Sequence, residues 1–297
     1  MIKIENLKIS FGDKKVLDGI NLDVPKNSVF GFIGKNGAGK TTTMKIILGF
    51  LTPDEGSVLL DGKQVAFGGK DTNKYVGYMP DVPEFYSFMT AREFLTFCAE
   101  LTNMDKQEAV SRVDEMLQLV GLGDETHRIK GFSRGMKQRL GIAQALLNKP
   151  KLLICDEPTS ALDPIGRKEI LDVLKAVSKE STVLFSTHIL SDVERICTDV
   201  AVLDDGVIKL QGKIDEIKSH FEKGEILMEI EDKNDVNALL NEFDYMHQAE
   251  ENQLTFLDVE NNMYDVLNFV CTNKIALSKL EKQEASLESL VMGVIEK

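Results

Sequence analysis

The sequence predicts an α/β fold built on a parallel sheet, and three stretches carry that prediction. Val29, Phe30, Phe32 and Ile33, then Leu152 to Cys155, then Val183 to Phe185, are short apolar runs of the kind found in strands covered on both faces. Segments with helical apolar spacing follow the first run (Met44, Ile47, Leu48) and precede the second (Met136, Leu140, Ala143, Leu147). To this core the sequence adds an antiparallel β-layer at the front, a helical insertion over residues 85–148 and a small α+β domain over 213–297.

Taken in order, Ile2, Ile4, Leu7 and Ile9 alternate with polar residues, and Leu17, Ile20, Leu22 and Val24 continue as strand material up to Pro25. Phe11 lies between the two, where a flat ring could stack on a purine or, as lone aromatics more often do, fill the core. The run from Val29 then delivers Gly34-Lys35-Asn36-Gly37-Ala38-Gly39-Lys40-Thr41, which fits G-x-x-x-x-G-K-[ST] at every fixed position and opens a helix. Glycines let successive backbone N–H groups close around phosphate at the positive end of a helix dipole. Lys40 adds a cation for the β- and γ-phosphates, and Thr41 offers a hydroxyl to Mg²⁺. A plain glycine turn is the bland alternative.

Pro53 to Gly56 turns the chain, Ser57 to Leu60 reads as a strand, and Lys74 to Met79 as another that runs into Pro80-Asp81-Val82-Pro83. An aromatic cluster follows: Phe85, Tyr86, Phe88, Phe94 and Phe97. Thr90 to Glu93 forms a capping box for a helix with Phe94, Phe97, Cys98 and Leu101 on one side, and Val110, Val113, Leu117 and Val120 mark a second helix. These aromatics read as a small core, with an exposed groove for a partner helix as the sharper alternative. Ser133 N-caps the next helix. The strand Leu152–Cys155 ends in Asp156 and Glu157, on the same carboxyl-end rim as the phosphate loop, where Asp156 can hold Mg²⁺ and Glu157 can polarise a water. Val183 to Thr187 repeats the arrangement with His188 at the rim, a candidate for the γ-phosphate or the attacking water. His127, His220 and His247 have no such context and read as surface residues. The C-terminal segments read as strand 225–231, helix 234–243, strand 253–258, helix 262–273, strand 275–281 and helix 286–296.

Composition narrows the classes. The formal net charge is −13, which disfavours general nucleic-acid binding. Residues 213–297 hold 19 acidic and 8 basic side chains, a net of −11, so the charge step coincides with the domain boundary. Cys98, Cys155, Cys197 and Cys271 have neither metal-site nor C-x-x-C spacing and read as reduced thiols. The first ten residues lack a signal-peptide core, and no apolar run of about 18 residues could span a bilayer, so a soluble chain is expected.

Together these motifs, over residues 1–212, resemble the ATP-binding subunit of an ABC transporter, a P-loop NTPase fold. Phe11 resembles the aromatic A-loop, Gly34–Thr42 the Walker A, Asp81 the Q-loop position, Ser133–Gln138 the signature, Leu153–Glu157 the Walker B, Ser160–Asp163 the D-loop and His188 the H-loop. The resemblance implies catalysis by Glu157, His188 and Lys40. It implies ATP contacts from Phe11, Val16, Gly34, Lys35, Asn36, Gly37, Ala38, Gly39, Lys40, Thr41 and Thr42, and from Ser133, Arg134, Gly135, Met136 and Asp163 of a second subunit stacked head to tail. It implies Mg²⁺ at Thr41, Asp156 and Asp81.

Two departures stand out: Asp81 replaces the usual glutamine, and Arg134 and Met136 replace the glycine and glutamine of LSGGQ. The insertion, FSRGMKQRL and the C-terminal extension look most like bacterial exporters of drugs, bacteriocins or amphipathic peptides whose ATPase and permease are separate chains. The expected partners are an integral-membrane permease and a second ATPase subunit, on the cytoplasmic face of the membrane. The rival readings are a soluble ABC ATPase acting on ribosomes or DNA, and a binding-only regulatory subunit.

Overall fold

The computed structural model describes residues 1–69, 71–221, 225–257, 262–282 and 287–295. The chain divides into two compact units, one of Met1–Ile214 with the described residues Val294 and Ile295, the other of Asp215–Gly293.

In the first unit, β1 (Ile2–Phe11) and β2 (Lys14–Val24) form an antiparallel pair in which Ile2 faces Val24 and Ile4 faces Leu22. Their alternating apolar residues all point to one buried side, as period-2 patterning requires. The chain then enters β3 (Val29–Ile33), every residue of which is buried, and α1 (Lys40–Ile47). β4 (Glu55–Leu60) and β5 (Lys63–Gln64) return to the first sheet, whose order is β2-β1-β4-β5. Met44 and Ile47 of α1 share one core with Leu7, Leu17 and Leu60 of the antiparallel sheet and with Phe32, Ile154 and Leu203 of the other. Each such side chain contributes about 1.5–3 kcal/mol by leaving water.

Residues 73–75 form a 3-10 turn before β6 (Val76–Met79), so the strand predicted from Lys74 starts late. Three helices follow: α2 (Ala91–Leu101), α3 (Lys106–Leu119) and α4 (Arg134–Leu146). The Thr90 capping box forms as predicted, but α2 buries Ala91, Phe94, Leu95 and Ala99 and leaves Leu101 exposed. On α3, Val110 is exposed and the neighbouring Ala109 is buried. In both helices the apolar stripe is rotated from the predicted one, taking in the small residues Ala99 and Ala109. Met136 is only half-buried, while Gln138, Gly141 and Ile142 join Leu140, Ala143 and Leu147 inside.

Arg112 of α3 is buried and donates from Nε to Leu147 O (3.1 Å) and from Nη2 to Leu146 O (2.6 Å), placing a cation at the carbonyl end of α4, where Leu146 O also accepts from Lys149 N (3.0 Å). Gly77 lets that end lie on β6, since a Cβ there would sit 2.1 Å from Ala145 O.

The remaining elements are β7 (Leu152–Cys155), α5 (Pro164–Val177), β8 (Thr182–Thr187), α6 (Leu190–Ile196), β9 (Asp199–Asp204) and β10 (Val207–Lys213). Among the described residues six strands form the second sheet, in the order β10-β9-β3-β8-β7-β6, parallel except for β10.

After α7 (Ile214–Phe221), the second unit contains β11 (Glu225–Ile230), α8 (Lys233–Glu242), β12 (His247–Glu250), β13 (Gln253–Leu257), α9 (Asn262–Asn273), β14 (Leu277–Lys282) and α10 (Leu287–Ile295) as far as Gly293. Its sheet is antiparallel, in the order β12-β13-β11-β14. Met228, Leu254 and Phe256 pack with Val236 and Leu239 of α8 and Val266 and Val270 of α9. α7 and β12 were not predicted: β12 reads His-Gln-Ala-Glu, is wholly exposed and carries no apolar alternation. His127 and His247 are exposed, the side chain of His220 lies outside the described set, and so do the predicted end residues 258, 286 and 296.

Candidate active site

Parallel register brings the carboxyl ends of three strands to one edge, those of β3 and β8 level and that of β7 two residues earlier. Ile33 at the end of β3 pairs with Thr187 at the end of β8, and Cys155 at the end of β7 lies beside Phe185. The residues that follow each strand, Gly34 onward, Asp156-Glu157 and His188, therefore share one rim.

The loop after β3 is shaped by its glycines. Gly39 has φ +112° and a Cβ there would lie 2.6 Å from Leu17 Cδ2, so no other residue closes the loop so tightly against β2. Lys40 is buried, and its ammonium donates to Gly34 O (2.6 Å) and Lys35 O (3.2 Å) and lies 3.1 Å from Glu157 Oε1. Thr41 Oγ1 donates to Asp156 Oδ2 at 2.7 Å, and Ser186 Oγ donates to Asp156 Oδ1 at 2.6 Å while accepting from Glu157 N at 2.9 Å. His188 Nδ1 is 2.9 Å from Glu157 Oε2. Because a carboxylate only accepts, that ring nitrogen carries the hydrogen. Glu157 is thus gripped from both oxygens, and its backbone is left-handed at φ +48°.

Beside this cluster opens a cavity of about 570 Å³. Phe11 and Val16 form one wall, Asn36, Gly37, Gly39, Lys40, Thr41 and Thr42 the floor, and Asp81, Asp156 and Glu157 the acidic side. Phe11 is exposed at 51%, so its ring is not core. Gly34 leads into the loop, and Lys35 and Ala38 line the adjoining cleft on the β9–β10 side. Lys14 lines both cavities; it and Ser186 were missed by sequence reasoning. A lysine two residues past the Gly12 turn, and a serine inside the apolar strand Val183–Phe185, were the available signals.

Asp81 is tied to α4 twice. Gln138 Nε2 donates to Asp81 O at 2.7 Å, and Arg134 Nη2 lies 3.5 Å from Asp81 Oδ1. Burial pushes the Asp81 carboxyl up, Arg134 pulls it down, and Asp156 and Glu157 push it up further. Two of the three residues that depart from the family pattern, Asp81 and Arg134, therefore face each other.

Ser133, Gly135, Met136 and Asp163 do not line the cavity. Ser133 accepts from Met136 N (3.2 Å) as the N-cap of α4, and Asp163 accepts from Gly166 N (3.1 Å) as the N-cap of α5. Ser133 is exposed at an open helix N-terminus. In the insertion, Phe85 meets Phe94 edge to face at 5.1 Å and Tyr86 meets Phe97 likewise at 5.7 Å; Phe94 is buried, but Tyr86 and Phe88 are exposed, so the cluster is a small core that opens into a surface patch.

Residues 17–160 match the family model described as ABC transporter. The bacitracin transport ATP-binding protein BcrA of Bacillus licheniformis is 36% identical over 301 residues, 99% of this chain and 97% of that protein. The chain belongs to the ABC transporter ATP-binding family. The lantibiotic transport ATP-binding protein SrtF of Streptococcus pyogenes is 38% identical over 72% of this chain and 92% of its own length. CbiO1 of Clostridium perfringens, part of the transporter complex cbiONQ, superposes with a TM-score of 0.68 at 30% identity, covering 74% of this chain and 91% of that one. This ABC subunit binds and hydrolyses ATP as part of a transporter, and the soluble ribosome- or DNA-directed reading is not favoured. Among its described residues no helix is long and apolar enough to cross a membrane.

Proposed function

We propose that two copies of this subunit close on two Mg-ATP molecules and drive a separate-chain permease as an exporter of amphipathic peptides or drugs, from the cytoplasmic face of the membrane. The observation that carries the hydrolytic half is Glu157, held between Lys40 at 3.1 Å and His188 at 2.9 Å on the rim of the phosphate loop. A γ-phosphate held by Lys40 comes within reach of that carboxylate, which accepts a proton from the attacking water while His188 keeps it oriented. Phe11 and Val16 take the base, and the backbone N–H groups from Asn36 to Thr42 take the phosphates.

The donor set suits Mg²⁺. Thr41 and Asp156 present hard oxygens to one point, and Asp81 stands on the same wall. Among the described residues there is no group of three or more His, Cys, Asp or Glu able to cage a metal, in keeping with an ion held by one or two carboxylates plus substrate phosphates. When bound, Mg²⁺ neutralises charge on the β- and γ-phosphates.

The dimer reading is supported by Ser133 and Gly135, which lie at an exposed helix N-terminus outside their own chain's cavity, an anion site suited to another copy's γ-phosphate. The open patch of Tyr86 and Phe88 suits a permease helix. Transport of bacitracin and of a lantibiotic, named for two relatives, supports a peptide-like cargo. The test is light scattering on Glu157→Gln: it forms a dimer in Mg-ATP and stays monomeric in ADP. A monomer in saturating ATP, alone and with its permease, overturns the dimer reading.

A further inference from the structure

We propose that Thr159 and Asp192 are positioning residues for hydrolysis, which hold the backbone on which Glu157 is mounted; this rests on Glu157 being the general base. The loop from Asp156 to Asp163 contains two left-handed non-glycine residues, Glu157 at φ +48° and Ala161 at φ +52°. Each such residue is strained by about 1–3 kcal/mol and persists only where its surroundings over-determine it. Short backbone bonds, Ser160 N to Glu157 O at 3.1 Å and Leu162 N to Thr159 O at 3.4 Å, curl the loop but do not fix it to the sheet.

Thr159 supplies a side-chain anchor. Its side chain is buried, and Oγ1 donates to Asp192 Oδ2 at 2.7 Å. Asp192 is itself buried in α6, and its other oxygen accepts from Arg167 Nη2 of α5 at 2.5 Å. One carboxylate thus joins the strained loop, the helix that Asp163 caps and the helix that begins just after His188. A buried charge with both oxygens engaged is a stiff anchor, because releasing either partner leaves it unpaired out of water. Neither Thr159 nor Asp192 lines the nucleotide cavity, so their action on hydrolysis passes through Glu157.

The test uses the full-length chain and phosphate release in Mg-ATP, with a fluorescent ATP analogue for binding. Thr159→Val keeps the side-chain shape and removes the hydroxyl. It lowers kcat at least about tenfold, leaves KM and analogue affinity unchanged, and does nothing further in a Glu157→Gln background, whereas Thr159→Ser restores turnover. Should Thr159→Val fold poorly, Asp192→Asn carries the same cycle. The proposal is overturned if Thr159→Val turns over at the parental rate, if KM rises in place of the fall in kcat, or if the loss is equally large with Glu157 already removed. Undiminished turnover by Glu157→Gln alone would instead remove the reading beneath it.

Discussion

The parallel sheet of the first unit and the antiparallel sheet of the second solve burial in opposite ways. β3, β7, β8 and β9 are buried at every residue, whereas β11 and β13 alternate and β12 and β14 are almost wholly exposed. Strands sealed on both faces leave only their ends for chemistry; strands covered on one face leave a broad wet surface. The contents follow. Lys40, Asp156, Thr159, Ser186 and Asp192 are buried in the first unit; among the described residues of the second no polar residue is buried whole, and the polar atoms out of water include Tyr245 Oη and Asn252 Oδ1 on partly buried residues. Buried polar groups need partners, and the first unit supplies them where its strands end, in the bonds of Thr41 and Ser186 to Asp156.

The sharpest way to break that contrast is Glu157→Gln. It lowers phosphate release by roughly three orders of magnitude while retaining ATP binding; a loss below tenfold would move the chemistry off the rim. Next in size, Leu254→Ala in the second unit costs about 2–5 kcal/mol of that unit's stability in urea unfolding. Its turnover stays parental below the transition, and a parallel loss of turnover would show the second sheet to be part of the reacting machinery.

Arg112→Met keeps the apolar stem but removes both side-chain bonds and strands the Leu147 carbonyl, while Leu146 O keeps its bond from Lys149 N, for a loss of about 1–3 kcal/mol by urea midpoint. Smallest is Arg134→Leu: its half-exposed pairing with Asp81 is worth under about 1 kcal/mol. That difference grows from acid to neutral pH. Burial raises the Asp81 pKa, so the carboxyl is protonated and indifferent to Arg134 in acid, and ionised and dependent on it once pH passes its folded pKa. A gap that shrank toward neutrality would show the two not to be paired.

The catalytic rim was legible in the sequence because each of its parts follows an apolar strand directly, so chain order alone sets Lys40, Asp156, Glu157 and His188 on one edge. Ser186 and Asp192 were not legible, since a serine in a strand and an aspartate in a helix gain meaning only from what lies across the sheet. The rotated faces of α2 and α3 escaped for a related reason: a search for large apolar side chains passes over Ala99 and Ala109, which are buried. β12 has no pattern to read, because its place in the sheet is decided by β13 and not by its own side chains.

The matched ends of β3 and β8 carry one more consequence. Substituting one apolar residue for another inside Val183–Phe185 perturbs packing locally, but adding or deleting a single residue there would carry His188 about 3.3 Å along the strand axis, out of step with Ile33. Chain length between the floor of the sheet and its lip is therefore the quantity this enzyme can least afford to vary, and an indel scan of β8 would find a ruler where a substitution scan finds only filling.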